Sequence, residues 1–468
     1  MLFTSFIFLQ IFLPAIALIH ALLKNVRCRN LFLLSASLLF YAWGEPENIF
    51  LLIFSIAVNY FTARYGLAFS LPEKVRKLML ALGIIFNLLI LAIFKYTSTF
   101  LFFLDEFFHF SFKISSIALP LGISFFTFQI LSYLIDTFRR ENEPQKNIFD
   151  LGLFIMLFPQ LVAGPIVKYH DISKELTSRN ITLPDYASGI RRFVYGLGKK
   201  VLIANQMALI ADEIFLIPDN ILDCKIAWLG IITYSLQIYF DFSGYSDMAI
   251  GLGRMFGFHF KENFNLPYAA TSIQDFWRRW HISLSSWFKE YLYIPLGGSR
   301  QGEKITCRNI MIVFIITGIW HGAGLNFIIW GAYYGILLVL ERWKLKTLME
   351  KSPAKIFNRL YTLLAVMIGW VFFRADDLPS ALQYIGKLFS FTDNKNLPST
   401  DFITPSALFL ILAAILLCAP VPLIKYFRHE SSRQNIRWYD LPLQLILLAA
   451  SLLMLAGNTY NPFIYFRF

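Results

Sequence analysis

Charge is what this sequence has least of. Asp, Glu, Lys and Arg together make up 15% of its 468 residues, against roughly a quarter in a soluble domain, so an ordinary water-facing surface is excluded. Cysteine is sparse as well. Cys28, Cys224, Cys307 and Cys418 lie far apart, without a CxxC pair or metal-ligand spacing, so they are read as packing residues and no metal is expected. No basic tail or groove-like cluster accompanies the formal charge of +12, which argues against nucleic acid. Internal repeats and disordered linkers are also missing.

Apolar residues fill the space that charge leaves. They account for 57% of the chain, with 49 Phe, more than a soluble core can enclose. Apolar runs fall near 4–22, 30–43, 48–64, 78–94, 115–135, 148–163, 193–217, 226–252, 309–320, 325–341, 357–373, 405–424 and 440–457. Runs of ~17–25 apolar residues read as membrane-spanning helices, because only a helix satisfies its own backbone in hydrocarbon. Several runs are too short to cross alone, so broken or re-entrant helices are expected. The expected fold is an all-α polytopic membrane protein, one integral domain over residues 1–468. The first run lacks a basic n-region and a small-residue cleavage site, and reads as a retained helix.

Loop charge orients the helices. Lys24, Arg27 and Arg29 follow the first run with no acid among them, which places that loop in the cytoplasm by the positive-inside rule. Arg64, Lys74, Arg76 and Lys77 repeat the signal, as do Arg139, Arg140 and Lys146, then Arg342, Lys344, Lys346, Lys351 and Lys355, then Lys425, Arg428, Arg433 and Arg437. Glu45 and Glu47 occupy a loop of the opposite kind. The alternation puts both termini outside.

Three places depart from this plain pattern. The run IAWLGIITYSLQIYFDFSGYSDMAIGL holds Gln237, Asp241, Ser243, Ser246 and Asp247 inside a spanning length. A carboxylate in hydrocarbon costs ~2.5–3.5 kcal/mol on insertion scales, so it faces a cavity or a partner. A brace to an arginine such as Arg254 or Arg278 is the favoured reading, with the aspartates as scaffold. Residues 265–300 interleave Ile273, Phe276, Trp277, Trp280, Leu284, Trp287, Phe288 and Tyr291 at helical spacing with Asp275, Arg278, Arg279, Ser283 and Lys289. Too polar to span, this stretch fits either a cavity-lining amphipathic helix or an ordinary helix on the lipid surface.

The third place is His321. Counted from the basic stretch ending at Arg308, thirteen residues of rise at ~1.5 Å put it about 20 Å along its helix, past the middle of a ~30 Å core. Gly318, Gly322 and Gly324 allow another backbone or a substrate to approach closely. An imidazole with a pKa of about 6.5 takes a proton from a hydroxyl and returns it, as acyl transfer requires. A core histidine bonded to a carbonyl is the competing reading. His281, after Trp280, reads by itself as a surface residue.

Two long segments, DFSGYSDMAIGLGRMFGFHFKENFNLPYAATSIQDFWRRWHISLSSWFKEYLYIPLGGSR and GIWHGAGLNFIIWGAYYG, resemble the core of the membrane-bound O-acyltransferase family. They are most similar to its bacterial branch that contains the alginate O-acetylation membrane protein. PLGISFFTFQILSYLIDTFR and FPQLVAGPI are similar to earlier motifs of that branch, so the likeness covers a core over 120–341. It implies a ring of tilted, partly re-entrant helices around a central funnel. It implies that His321, in GIWHGAG, and His281, in RRWHISLS, are the catalytic pair. Asp241, Ser243, Tyr245, Asp247, Arg278, Arg279, Trp280, Trp320 and Asn326 would line or support the site. It further implies acetyl-CoA as a cytoplasmic acyl donor.

The C-terminal NPFIYFRF resembles a short aromatic motif of related bacterial systems, whose tyrosine is proposed to carry the acyl group outward. Here that residue is Tyr465; an interfacial aromatic anchor is the competing reading. The expected function is O-acetylation of an extracytoplasmic polysaccharide, alginate or a similar exopolysaccharide, from the bacterial inner membrane. A separate periplasmic or membrane-anchored acetyltransferase would be the partner, alongside polysaccharide biosynthesis machinery. Peptidoglycan, teichoic acid with a D-alanyl group, and a transporter lined by Asp241, Asp247, Arg278 and His321 stay open; against the transporter stands the lack of repeated halves.

Overall fold

The structure is a computed structural model, and it describes residues 1–108, 118–218, 220–345, 355–390, 402–419 and 440–457. All regular secondary structure among these residues is helical. Among the described residues five helices are long and apolar enough to cross a bilayer: Asn48–Gly66, Glu73–Phe108, Leu325–Trp343, Lys355–Arg374 and Asp440–Gly457. Glu73–Phe108, at 36 residues, is ~54 Å long and exceeds a ~30 Å hydrocarbon core. Ile7–Leu22, Ile123–Phe138 and Pro405–Cys418 are shorter apolar helices.

The run at 148–163 is broken, as its length required. Ile148–Met156 ends at Leu157, and a short turn Phe158–Leu161 begins with Pro159 near its start, where proline's missing N–H leaves no orphan. The run at 193–217 is interrupted by the wide turn Lys199–Ala204, whose exit amide, Asn205 N–H, reaches back five residues to Lys200 O. Such π-type turns insert one extra residue into a helix and re-aim the side chains after it.

The residues group into two compact units. The first comprises Met1–Phe193 and Ser246–Lys261. Phe8 gathers the rings of Phe3, Phe12, Phe40 and Phe158 at 4.9–6.2 Å between centroids. Polar staples join its helices where apolar packing alone gives no registry in lipid: Asn59 and Asn87 exchange side-chain hydrogen bonds of 3.1 and 2.8 Å between Asn48–Gly66 and Glu73–Phe108.

The second unit comprises Val194–Tyr245 and the described residues from Glu262 onward. Its core is aromatic. Trp280 packs on Phe276, Phe264 and Trp370 at 4.9–5.6 Å. Trp370 Nε1 donates to the Tyr268 hydroxyl at 3.2 Å, and that hydroxyl donates to Ser235 O at 2.5 Å. Each large ring thus brings its polar tip to a partner, the condition for burying Trp and Tyr.

Candidate active site

Helix Glu303–His321 and helix Leu325–Leu340 form a tight hairpin. Glycine makes it possible. A Cβ at Gly331 would strike Phe314 O and lie 3.3 Å from Gly318 Cα, and one at Gly318 would strike Phe327 O. The close approach expected around His321 therefore occurs, and the chain's own backbone fills it.

His321 is the last residue of its helix and is buried. The helix starts at Glu303, five residues before the point used in the sequence count, so His321 stands ~27 Å from its beginning rather than 20 Å. Its imidazole meets Trp330 and Phe373 nearly edge-on at 5.1 and 4.9 Å, and Trp320 at 4.6 Å. Asn326, the second residue of the return helix, donates to Phe372 O at 3.1 Å and Ala375 O at 3.0 Å. It ties the hairpin to the end of Lys355–Arg374 by satisfying carbonyls that a helix terminus leaves orphaned, which is a supporting role.

The amphipathic stretch is not one helix. Ile273–Arg279 and Ile282–Phe288 are separated at Trp280 and His281. His281 adopts the left-handed conformation (φ 43°, ψ 55°), which costs a non-glycine residue on the order of 1–3 kcal/mol and concentrates at functional positions. The break turns His281 inward: it is 2% exposed, which corrects its reading as a surface histidine. Ile273, Phe276, Trp280, Leu284, Trp287, Phe288 and Tyr291 are all buried, so the stretch is an internal element and not a helix resting on lipid.

Two outside groups hold this break in place, and neither stood out in the sequence. Glu341 accepts from the backbone amides of Ile273 at 2.6 Å and Gln274 at 3.0 Å, capping the first helix with a carboxylate at its positive end. Asn263 O accepts from Ile282 N–H at 2.9 Å, while Asn265 N–H donates to Arg279 O at 2.8 Å. Asn263 and Asn265 fall inside the motif that carried the family resemblance and Glu341 ends the core at 120–341, yet nothing in spacing or composition marks them.

A continuous series of rings joins the two histidines. His281 meets Phe242 at 4.7 Å, Phe242 meets Trp280 at 6.5 Å, and Trp280 meets Trp370 at 4.9 Å. Trp370 meets Phe373 at 5.7 Å, and Phe373 meets His321. Trp280 and Trp320 therefore each stand beside a histidine.

Each aspartate is braced by a cation, an arginine as expected for Asp247 and a lysine in its place for Asp241. Asp241 Oδ1 lies 2.8 Å from Lys200 Nζ, both side chains being buried. Arg254 is thirteen residues on along the same helix, roughly 20 Å away, out of reach. Asp247, in the first unit, accepts from Arg192 Nε at 3.1 Å and Nη2 at 2.8 Å. Ser243 and Tyr245 are buried. Arg279 pairs with Asp275 at 2.8 Å, and Arg278 is exposed, so neither guanidinium is assigned to the reacting centre. Tyr465 lies outside the described residues.

In the first unit Asp136, Glu141 and His170 bring ligand-type atoms within 4.8 Å of one another. A cationic imidazole accounts for that cluster: His170 Nδ1 meets Asp136 at 3.1 Å, Nε2 meets Asp171 at 3.2 Å, and Lys261 also reaches Asp171 at 2.5 Å.

A family model for membrane-bound O-acyltransferases matches residues 43–377, which contain both histidines. A protein named probable alginate O-acetylase AlgI from Pseudomonas putida is 38% identical, with the whole of each chain covered. A peptidoglycan O-acetyltransferase of Helicobacter pylori is 36% identical over all of this chain and 98% of its own. A teichoic acid D-alanyltransferase of Bacillus subtilis is 30% identical over 54% of this chain and 66% of its own. With its apolar helices, its two buried histidines and this match along most of its length, the chain belongs to the membrane-bound O-acyltransferase family.

Proposed function

We propose that this multi-pass O-acyltransferase takes acetyl from cytoplasmic acetyl-CoA and passes it across the bacterial inner membrane for O-acetylation of an extracytoplasmic polysaccharide, alginate or a similar exopolysaccharide. The observation that carries this reading is the pair of buried imidazoles, His281 and His321, set in one unit against a shared aromatic wall. Excluding water protects a thioester from hydrolysis and strengthens every polar contact made by the reacting atoms.

His321 acts as general base. Its lone pair takes the proton of the acceptor hydroxyl as the oxygen adds to the thioester carbonyl. Collapse of the tetrahedral adduct breaks the C–S bond, and the imidazolium returns the proton to the departing thiolate. His281 is the second catalytic imidazole. Tyr465 is the proposed acyl carrier: a phenol activated by such a base forms an ester that donates readily in the next step. A separate periplasmic or membrane-anchored acetyltransferase, working with the polysaccharide biosynthesis machinery, then receives the acetyl group.

The Helicobacter relative supports a second acceptor, peptidoglycan, by the same chemistry; the Bacillus relative supports teichoic acid with a D-alanyl group more weakly, through its shorter match. The test is transfer of labelled acetyl from acetyl-CoA by membranes containing the full chain. His321→Ala is expected to abolish transfer while the protein still folds and inserts; wild-type transfer would overturn the base assignment. Loss of O-acetyl groups from peptidoglycan but not from exopolysaccharide, in cells lacking the chain, would select the second acceptor.

A further inference from the structure

His281 does not sit against Asn263 by packing alone. The Asn263 side-chain oxygen accepts from Ser283 N–H at 3.2 Å and from Ser283 Oγ–H at 2.9 Å, and it lies 3.2 Å from His281 Nδ1. The backbone amide is a donor whatever else changes. It therefore decides which end of the carboxamide is oxygen, a choice otherwise inferred from the whole network. An oxygen facing Nδ1 requires a proton there, because two lone pairs would repel. The imidazole lone pair is then on Nε2.

We infer that Asn263 is a positioning residue for His281, holding the ring as its Nδ1–H tautomer with Nε2 presented as the basic nitrogen. This rests on His281 being catalytic, as proposed above. Asn263 is suited to the task in three ways. It is 1% exposed, so its oxygen is not diluted by water. Its own carbonyl accepts from Ile282 N–H at 2.9 Å, so main chain and side chain together cap the helix that follows His281 and fix the left-handed residue between them. It is also an amide where a carboxylate would satisfy the same donors. The amide leaves Nδ2 buried without an acceptor among the described residues, which is unfavourable. What a neutral acceptor preserves in exchange is a neutral imidazole: a carboxylate at this distance would stabilise the imidazolium, which has no lone pair to offer.

The substitution that separates positioning from scaffolding is Asn263→Asp, since its oxygen can still accept from Ser283 and the ring. Acetyl transfer by membranes containing the full chain would be followed against pH, with His281→Ala in parallel. The expected result is a Asn263→Asp protein that inserts normally, keeps KM within about twofold and regains its rate at alkaline pH. Its acid limb should move upward by about one pH unit or more. Asn263→Ala should lose kcat on the order of 10²-fold through misorientation. An inactive His281→Ala combined with a wild-type rate and pH profile in Asn263→Asp would overturn the clamp alone. Full activity in His281→Ala would instead overturn the catalytic assignment on which it rests.

Discussion

The Lys200–Asp241 pair offers the clearest energetic test. The two charges are 2.8 Å apart with 4% and 2% of their side chains exposed. At an effective dielectric of about 20 their attraction is about 6 kcal/mol, while desolvation costs several kcal/mol per ion. The two terms nearly cancel, so the intact pair contributes little net stability. Removing one partner is a different matter, because it leaves a buried charge with its main counter-ion gone. Lys200→Met is expected to destabilise by about 3–5 kcal/mol, and Lys200→Met with Asp241→Leu should return most of that loss. Lys77 and Glu73, 2.7 Å apart but 64% and 69% exposed, supply the control: Lys77→Met should leave stability close to wild type. Unfolding of the detergent-solubilised chain, followed at one pH, measures all three. Equal small losses for Lys200→Met and Lys77→Met, or a double variant worse than the single, would refute the reasoning.

Other perturbations probe separate parts of the molecule. Gly331→Val pushes a Cβ into Phe314 O; overpacking of this kind costs about 1–3 kcal/mol or more, and an unchanged melting temperature would contradict the tight hairpin. His170 has its pKa raised to about 10, first by Asp136 and then by Asp171, from about 6.5 when unfolded. A raised pKa stabilises fully below about 6.5 and loses that contribution as pH rises through about 10, so melting temperature should fall across that window and His170→Gln should flatten the fall. Tyr465→Phe keeps an aromatic anchor and removes the hydroxyl; polymer acetylation should be lost, and full acetylation would discard the carrier role while leaving His321 untouched.

Hydropathy, helical period and breaker residues act over one or two turns, and they were enough to determine that this chain spans a membrane many times by helices. They also required some of the shorter runs to be broken, and located the polar segment around Asp241. The motif around His321 and His281 brought the family into view, because long residue strings carry information that periodicity does not. Partners belong to another level. Asp241 meets Lys200 because folding brings the wide turn Lys199–Ala204 beside a different helix, and no spacing along the chain encodes that. His281 is internal because Asn263 and Glu341, eighteen residues before it and sixty after, cap the two helices on either side of a left-handed residue. The sequence could name the histidines; only tertiary structure decided which ring nitrogen carries the lone pair, since that depends on an amide brought close by folding.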